Sequence, residues 1–173
     1  MTPCTIICAT NRPNNKTQKV VDTYCELLTK NDIPYQLLTM DALPVDFIFN
    51  SSFGKKNQQF ETVVDKYISS TGRFVVISPE YNGSFPGVFK AFLDALDPSL
   101  FDGAKVGLVG VSTGRAGNLR GMDHLSDIFH HLNATVMPFK LPISRLNEFL
   151  IEGDLAESEQ KRLTEHIKRF QSF

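Results

Sequence analysis

Nowhere in its 173 residues does the chain hold an apolar run of the ~20 residues that a membrane-spanning helix needs, so no membrane partner is expected. Met1 to Asn11 lacks the length and basic flank of a secretory leader, and a cytoplasmic location is expected. There is no surplus of charge. Lysine and arginine number 18 against 19 aspartates and glutamates, a net charge of −1. The basic stripe of a nucleic-acid binder is therefore missing, and no nucleic-acid partner is expected. The acidic surface of a docking electron carrier is missing too. Cysteine is scarce. Cys4, Cys8 and Cys25 form an odd set without framework spacing, which points to reduced thiols. Cys4 and Cys8 fall on one expected strand about 13 Å apart, too far for a disulfide. They read as core residues. Also lacking are internal repeats, low-complexity tracts and linkers, so residues 1–173 read as a single domain.

What is present is ordinary globular material, 42% apolar and 21% charged. Residues 4–10 (CTIICAT) read as a buried strand that ends in a polar loop. Val20, Val21, Tyr24, Leu27 and Leu28 recur at helical spacing within 16–30. A second strand is expected at 34–40, an irregular connection at 41–56 and a helix at 57–70. Residues 73–78 (RFVVIS) are apolar on both faces, as in a parallel strand covered on both sides. A helix at 86–96 is expected to be capped by Ser84 or Phe85, with Pro86 in its first turn and Asp97-Pro98 at its end. Strands follow at 105–111 and 134–139, with a helix near 122–132 between them. The last helix, 155–170, is expected to begin with Asp154 and Glu157 as a capping box.

Five alternations of strand and helix imply an α/β fold with a parallel sheet and helices on both faces. Right-handed crossovers and five strands favour a flavodoxin-like three-layer sandwich in strand order 2-1-3-4-5. Ligands of such sheets bind beyond the carboxyl ends of the strands, where the loops after strands one, three and four converge.

The first loop, Thr10 to Thr17, opens a helix whose free N–H groups and dipole favour an anion. Thr10, Asn15 and Thr17 add neutral donors, and Arg12 and Lys16 add charge, which suits a phosphate monoester. Neither G-x-G-x-x-G nor a P-loop is present. The second loop, Ser78 to Gly87, holds two prolines and two glycines, stiff enough to offer a rigid backbone rim to a planar heteroaromatic ring. Tyr81 is expected near that ring, with Glu80 and Asn82 holding the loop in shape. The third loop, Ser112 to Asn118, is built of small residues that leave room for a flat ligand.

Residues 78–94, SPEYNGSFPGVFKAFLD, resemble the signature loop and following helix of the NADPH-dependent FMN reductase family. The resemblance extends over nearly the whole chain. It implies FMN as cofactor, NADPH or NADH as hydride donor and a flavin, quinone or similar small molecule as electron acceptor. It implies phosphate ligands at Thr10, Arg12, Asn15 and Thr17, matching the family's Ser-x-Arg-x-x-Ser-x-Asn loop. The flavin-facing turn falls on Pro79, Glu80, Tyr81, Asn82 and Gly83, and a second flavin contact on Ser112 and Gly114. Asn15 and Thr17 depart from the family's serine and asparagine, and Asn118 stands where many members have glycine. No acid, base or nucleophile is assigned, because the flavin carries the hydride chemistry. Backbone N–H groups near Asn82, Gly83 and Gly114 are expected to bond the flavin edge. A homodimer or homotetramer is implied, with Phe47, Phe49, Phe53, Phe85, Phe89 and Phe92 either at the subunit contact or in the core.

Two other readings stand beside this one. Gly110 to Gly114 fits G-x-S-x-G, with Ser112 as a nucleophile and Asp and His residues following. An FMN-binding sensor or carrier without reductase turnover is the other. His130-His131 reads as a pair of helix-surface histidines, and the Lys/Arg-rich 161–169 stretch as a solvated helix face.

Overall fold

A computed structural model of the chain describes residues 3–52 and 55–173. Met1, Thr2 and the expected contact residue Phe53 lie outside the described residues. The strands are β1 (Cys4–Cys8), β2 (Tyr35–Thr39), β3 (Arg73–Pro79), β4 (Lys105–Val111), β5 (Thr135–Val136) and β6 (Leu141–Ile143), with a small hairpin of β7 (Leu150–Ile151) and β8 (Asp154–Leu155). The helices are α1 (Thr17–Lys30), α2 (Phe47–Asn50), α3 (Gln58–Val64), α4 (Gly87–Ala95), α5 (Leu119–His131) and α6 (Glu157–Ser172).

The sheet is parallel in the expected order β2-β1-β3-β4-β5. Alternation along the strands sends side chains to two separate cores. Ile7, Leu38, Phe74, Val76 and Leu108 face α2 to α5, where Phe60, Phe89, Phe92 and Phe129 fill the layer. Ile6, Cys8, Val75, Ile77 and Val109 face α1 and α6, meeting Val20, Tyr24, Leu163 and Phe170. Burial on both faces explains why β3 and β4 read as continuous apolar runs.

Several expectations are corrected. The fifth strand is split: β5 pairs with Lys105 and Val106, and β6 rejoins β4 at Val109 to Val111. Pro138, which has no N–H to give a ladder, lies in the gap. Pro142 is tolerated within β6, which pairs with β4 alone. Pro86 itself occupies the N-cap position of α4 without a side-chain cap. Ser84 instead bonds His124 Nδ1 at 2.8 Å. The α6 capping box is absent: Asp154 belongs to β8, and the N-cap is Ala156. The expected helix at 57–70 continues from α3 into a wider π turn at Asp65–Ser69. The connection at 41–56 contains the short α2.

Cys4, Cys8 and Cys25 are free and buried, and burial pushes the Cys8 thiol up to about 11 and the Cys25 thiol up to about 12. Such groups stay protonated and inert. Among the described residues, no helix is long and apolar enough to cross a membrane. The outer face of α6 carries the i,i+4 pairs Glu157–Lys161 and Glu165–Arg169, as a solvated face should.

Candidate functional site

The loops after β1, β3 and β4 meet at the carboxyl edge of the sheet around a cleft of about 480 Å³. Arg12, Asn15, Thr17, Pro79, Glu80, Tyr81 and Ser112 of the expected residues line it. Thr10, Asn82, Gly83 and Gly114 do not.

The loop from Thr10 to Lys16 is shaped by its own side chains. Asn15 donates from its amide to the Arg12 carbonyl at 2.9 Å, and its Oδ1 accepts the Gln18 N–H at 2.9 Å. Asn15 thus braces the start of α1, which its type favours. The N–H groups of Asn15, Lys16 and Thr17 have no acceptor among the described residues. The first turn of α1 holds no acidic residue to neutralise the helix dipole. Exposed Arg12 and Lys16 flank these donors, and Lys16 Nζ reaches Asn147 Oδ1 at 2.7 Å. Three unbonded N–H groups, a bare dipole and two cations form a donor set for a dianionic group.

The loop after β3 is held from every side. Tyr81 and Ser84 exchange backbone hydrogen bonds of 2.8 and 3.0 Å, closing a two-residue turn. Asn82 (φ 50°) and Gly83 (φ 76°) form its tip in the left-handed region, the geometry that Asn-Gly favours. The tip lies beside α5, where a Cβ on Gly83 would stand 3.4 Å from the Arg120 guanidinium. Arg120 also pairs with Glu80 at 3.4 Å. The fully buried Asn118 donates from its amide to the carbonyls of Ser78 and Pro79, both at 3.0 Å. Its left-handed backbone (φ 59°) explains how it stands where glycine is common.

In the loop after β4, the Ser112 hydroxyl donates to the Gly114 carbonyl at 2.9 Å and accepts the Gly117 N–H at 2.8 Å. Both functions of the hydroxyl are occupied in shaping the loop. α5 begins seven residues later, at Leu119, instead of directly after the serine. This arrangement is not a nucleophile elbow, and the hydrolase reading falls.

Sequence reasoning missed one wall of the cleft, Leu146. It follows β6, and its N–H bonds the Ser112 carbonyl at 3.0 Å, while the Arg145 N–H bonds the Gly114 carbonyl at 2.7 Å. Recognising β6 would have placed Leu146 at the carboxyl edge of the sheet.

The sequence pattern of NADPH-dependent FMN reductases matches residues 3–146. The chain belongs to this family. Within its range of relatives, an FMN-dependent NADH:quinone oxidoreductase of Clostridium perfringens is 27% identical over 99 residues, covering 51% of this chain and 50% of that protein. A 2-hydroxy-1,4-benzoquinone reductase of Burkholderia sp is 25% identical over 114 residues, covering 64% and 61%. The matched segments thus span between half and three-fifths of those relatives' lengths. Among solved structures, the flavoenzyme NAD(P)H:(acceptor) oxidoreductase of Paracoccus denitrificans superimposes with a TM-score of 0.77 at 18% identity, covering 99% of this chain and 98% of that one. The fold is therefore shared with that protein over 99% of the chain.

Proposed function

We propose that the cleft binds FMN and that the protein passes hydride from NADPH or NADH through it to a quinone, a flavin or a similar small acceptor. The observation that carries this reading is the set of N–H groups at Asn15, Lys16 and Thr17 without acceptors among the described residues, flanked by Arg12 and Lys16, in a cleft also lined by the hydrogen-bonded loop after β3. The donor set fits the phosphate of FMN, with the Thr17 side chain beside it. Pro79, Glu80, Ser112, Thr113 and the apolar Leu146 line the rest of the cleft, where the ring would lie, and Tyr81 lines it between that part and the first loop. Bound FMN would supply the hydride-accepting and hydride-donating chemistry, and the chain would orient it and keep it in place. Glu80, engaged with Arg120, serves the shape of its loop. The Asn82 and Gly83 tip and the buried Thr10 take supporting places in this reading, and Gly114 anchors the Ser112 turn through its carbonyl.

The same reading includes a cytoplasmic homodimer or homotetramer. Val45 (102% exposed), Ile48 (45%) and Phe49 (75%) offer an apolar surface for subunit contact. Phe47, Phe89 and Phe92 are core residues at 4% exposure or less and take no part in it. Size-exclusion chromatography with light scattering tests this, and a monomer refutes it.

The test of function is a visible absorption spectrum after desalting with FMN, followed by NADPH without oxygen. A retained flavin band that bleaches supports the reductase reading. Retention without bleaching by NADPH or NADH leaves a binding protein, and a colourless protein rejects FMN.

A further inference from the structure

Tyr81 and Thr10, 71 residues apart in sequence, meet with their hydroxyl oxygens 2.8 Å apart. Thr10 Oγ1 also accepts the Arg12 N–H at 3.1 Å. The two hydroxyls carry two protons, and the bond between them uses one. If Tyr81 donated, the Thr10 proton would be left over on a residue only 2% exposed and outside the cleft lining. A buried donor without an acceptor is costly. If Thr10 donates, its own needs are met in full, and the phenolic proton of the cleft-lining Tyr81 is the one that remains.

We propose that the Tyr81 hydroxyl is a direct donor to the phosphate of the bound flavin nucleotide, the place that the family pattern gives to residue 10, and that Thr10 orients it. This rests on the FMN reading above. The tight turn at Tyr81–Ser84 fixes the tyrosine backbone. A phosphate at the head of α1 is then bonded from both loops, and the protein distinguishes FMN from riboflavin partly through a residue of its ring-facing loop.

The experiment measures dissociation constants for FMN and for riboflavin by quenching of flavin fluorescence, in the wild type, Tyr81→Phe, Thr10→Ser and Thr10→Val, with thermal unfolding of the flavin-free proteins as a check of folding. Tyr81→Phe should weaken FMN about tenfold and leave riboflavin within about twofold, since only FMN offers a charged acceptor. Thr10→Ser should match the wild type, and Thr10→Val should lower the preference for FMN severalfold. A Tyr81→Phe protein with an unchanged ratio of the two affinities overturns the proposal, whether both stay or both fall. If Tyr81→Phe does not fold, Thr10→Val decides: an unchanged ratio there overturns the proposal equally. A wild type that binds neither flavin overturns the FMN reading itself, which separates that failure from this one.

Discussion

The loop that opens α1 and the loop that follows β3 meet at Thr10 and Tyr81, line one cleft and are built on opposite principles. The first keeps three backbone N–H groups without acceptors among the described residues and leaves its two cations exposed. The second has its turn closed on itself, its root carbonyls held by Asn118, and its flank held by Arg120 and His124. Unmet donors suit a charged group, because the ligand then completes a hydrogen-bond set that the protein leaves open. A fully tied loop suits a flat ring, because a wall that does not relax fixes orientation. The two loops thus differ, before any ligand arrives, in what they leave open to it.

The largest effect should come from loosening the tied loop. A Cβ added by Gly121→Ala would stand 2.1 Å from Asn118 Oδ1 and 2.8 Å from the Phe85 nitrogen. Denaturant unfolding should show a loss of about 3 kcal/mol together with weaker retention of flavin. A variant as stable as the wild type would mean that the tie is slack and the contrast false. Acid should act beneath both loops alike. His166 of α6 is fully buried, with Nδ1 3.0 Å from the Tyr24 hydroxyl, and burial pushes its pKa down from 6.5 to about 4. The unfolded chain binds a proton that the native state refuses. The contribution is whole above pH 6.5 and falls by about 3 kcal/mol as the pH drops toward 4. Urea unfolding at pH 7 and pH 5 should show the loss, and His166→Gln should shrink it; an equal loss in both proteins would remove His166 as the cause.

Arg12→Ala probes the open loop. It should weaken FMN about tenfold, more at low salt, while flavin-free stability changes by less than about 0.5 kcal/mol. An equal loss for riboflavin would break the assignment of this loop to the phosphate end. The smallest effect belongs to Glu80→Gln. Its partner Arg120 is 70% exposed, so the pair is worth less than about 1 kcal/mol. A loss above 2 kcal/mol in unfolding would show that this contact, rather than Asn118, holds the loop.

Most of the fold was legible because each strand obeys a strong local rule. β4 is the clearest case, since burial on both faces leaves only Lys105 and apolar or glycine residues in its seven positions. The split of the fifth strand is hidden in its apolar run, where only the missing N–H of Pro138 marks the break. The hairpin at 150–155 was hidden because its left-handed turn falls on Glu152-Gly153, beside an acidic stretch that resembles a helix start. In the site, the phosphate-like donor loop was legible from helix polarity and composition. The closed two-residue turn at Asn82-Gly83 was not, although Asn-Gly is itself a hairpin signal. The pairing of Thr10 with Tyr81 was out of reach, since no local pattern reports a contact between residues 71 apart.

The unopposed positive end of α1 has a practical consequence for handling the protein. Where an inorganic phosphate or sulfate occupies the N–H groups of Asn15 to Thr17, it acts as a ligand of the folded state alone. Each tenfold excess over its dissociation constant then adds about 1.4 kcal/mol to the apparent stability. The same ion competes with the nucleotide for one place, so a preparation in phosphate buffer would melt higher yet take up flavin less readily than the same preparation in an amine buffer. Buffer identity thereby becomes a titratable variable of this molecule, moving its melting temperature and its cofactor affinity in opposite directions.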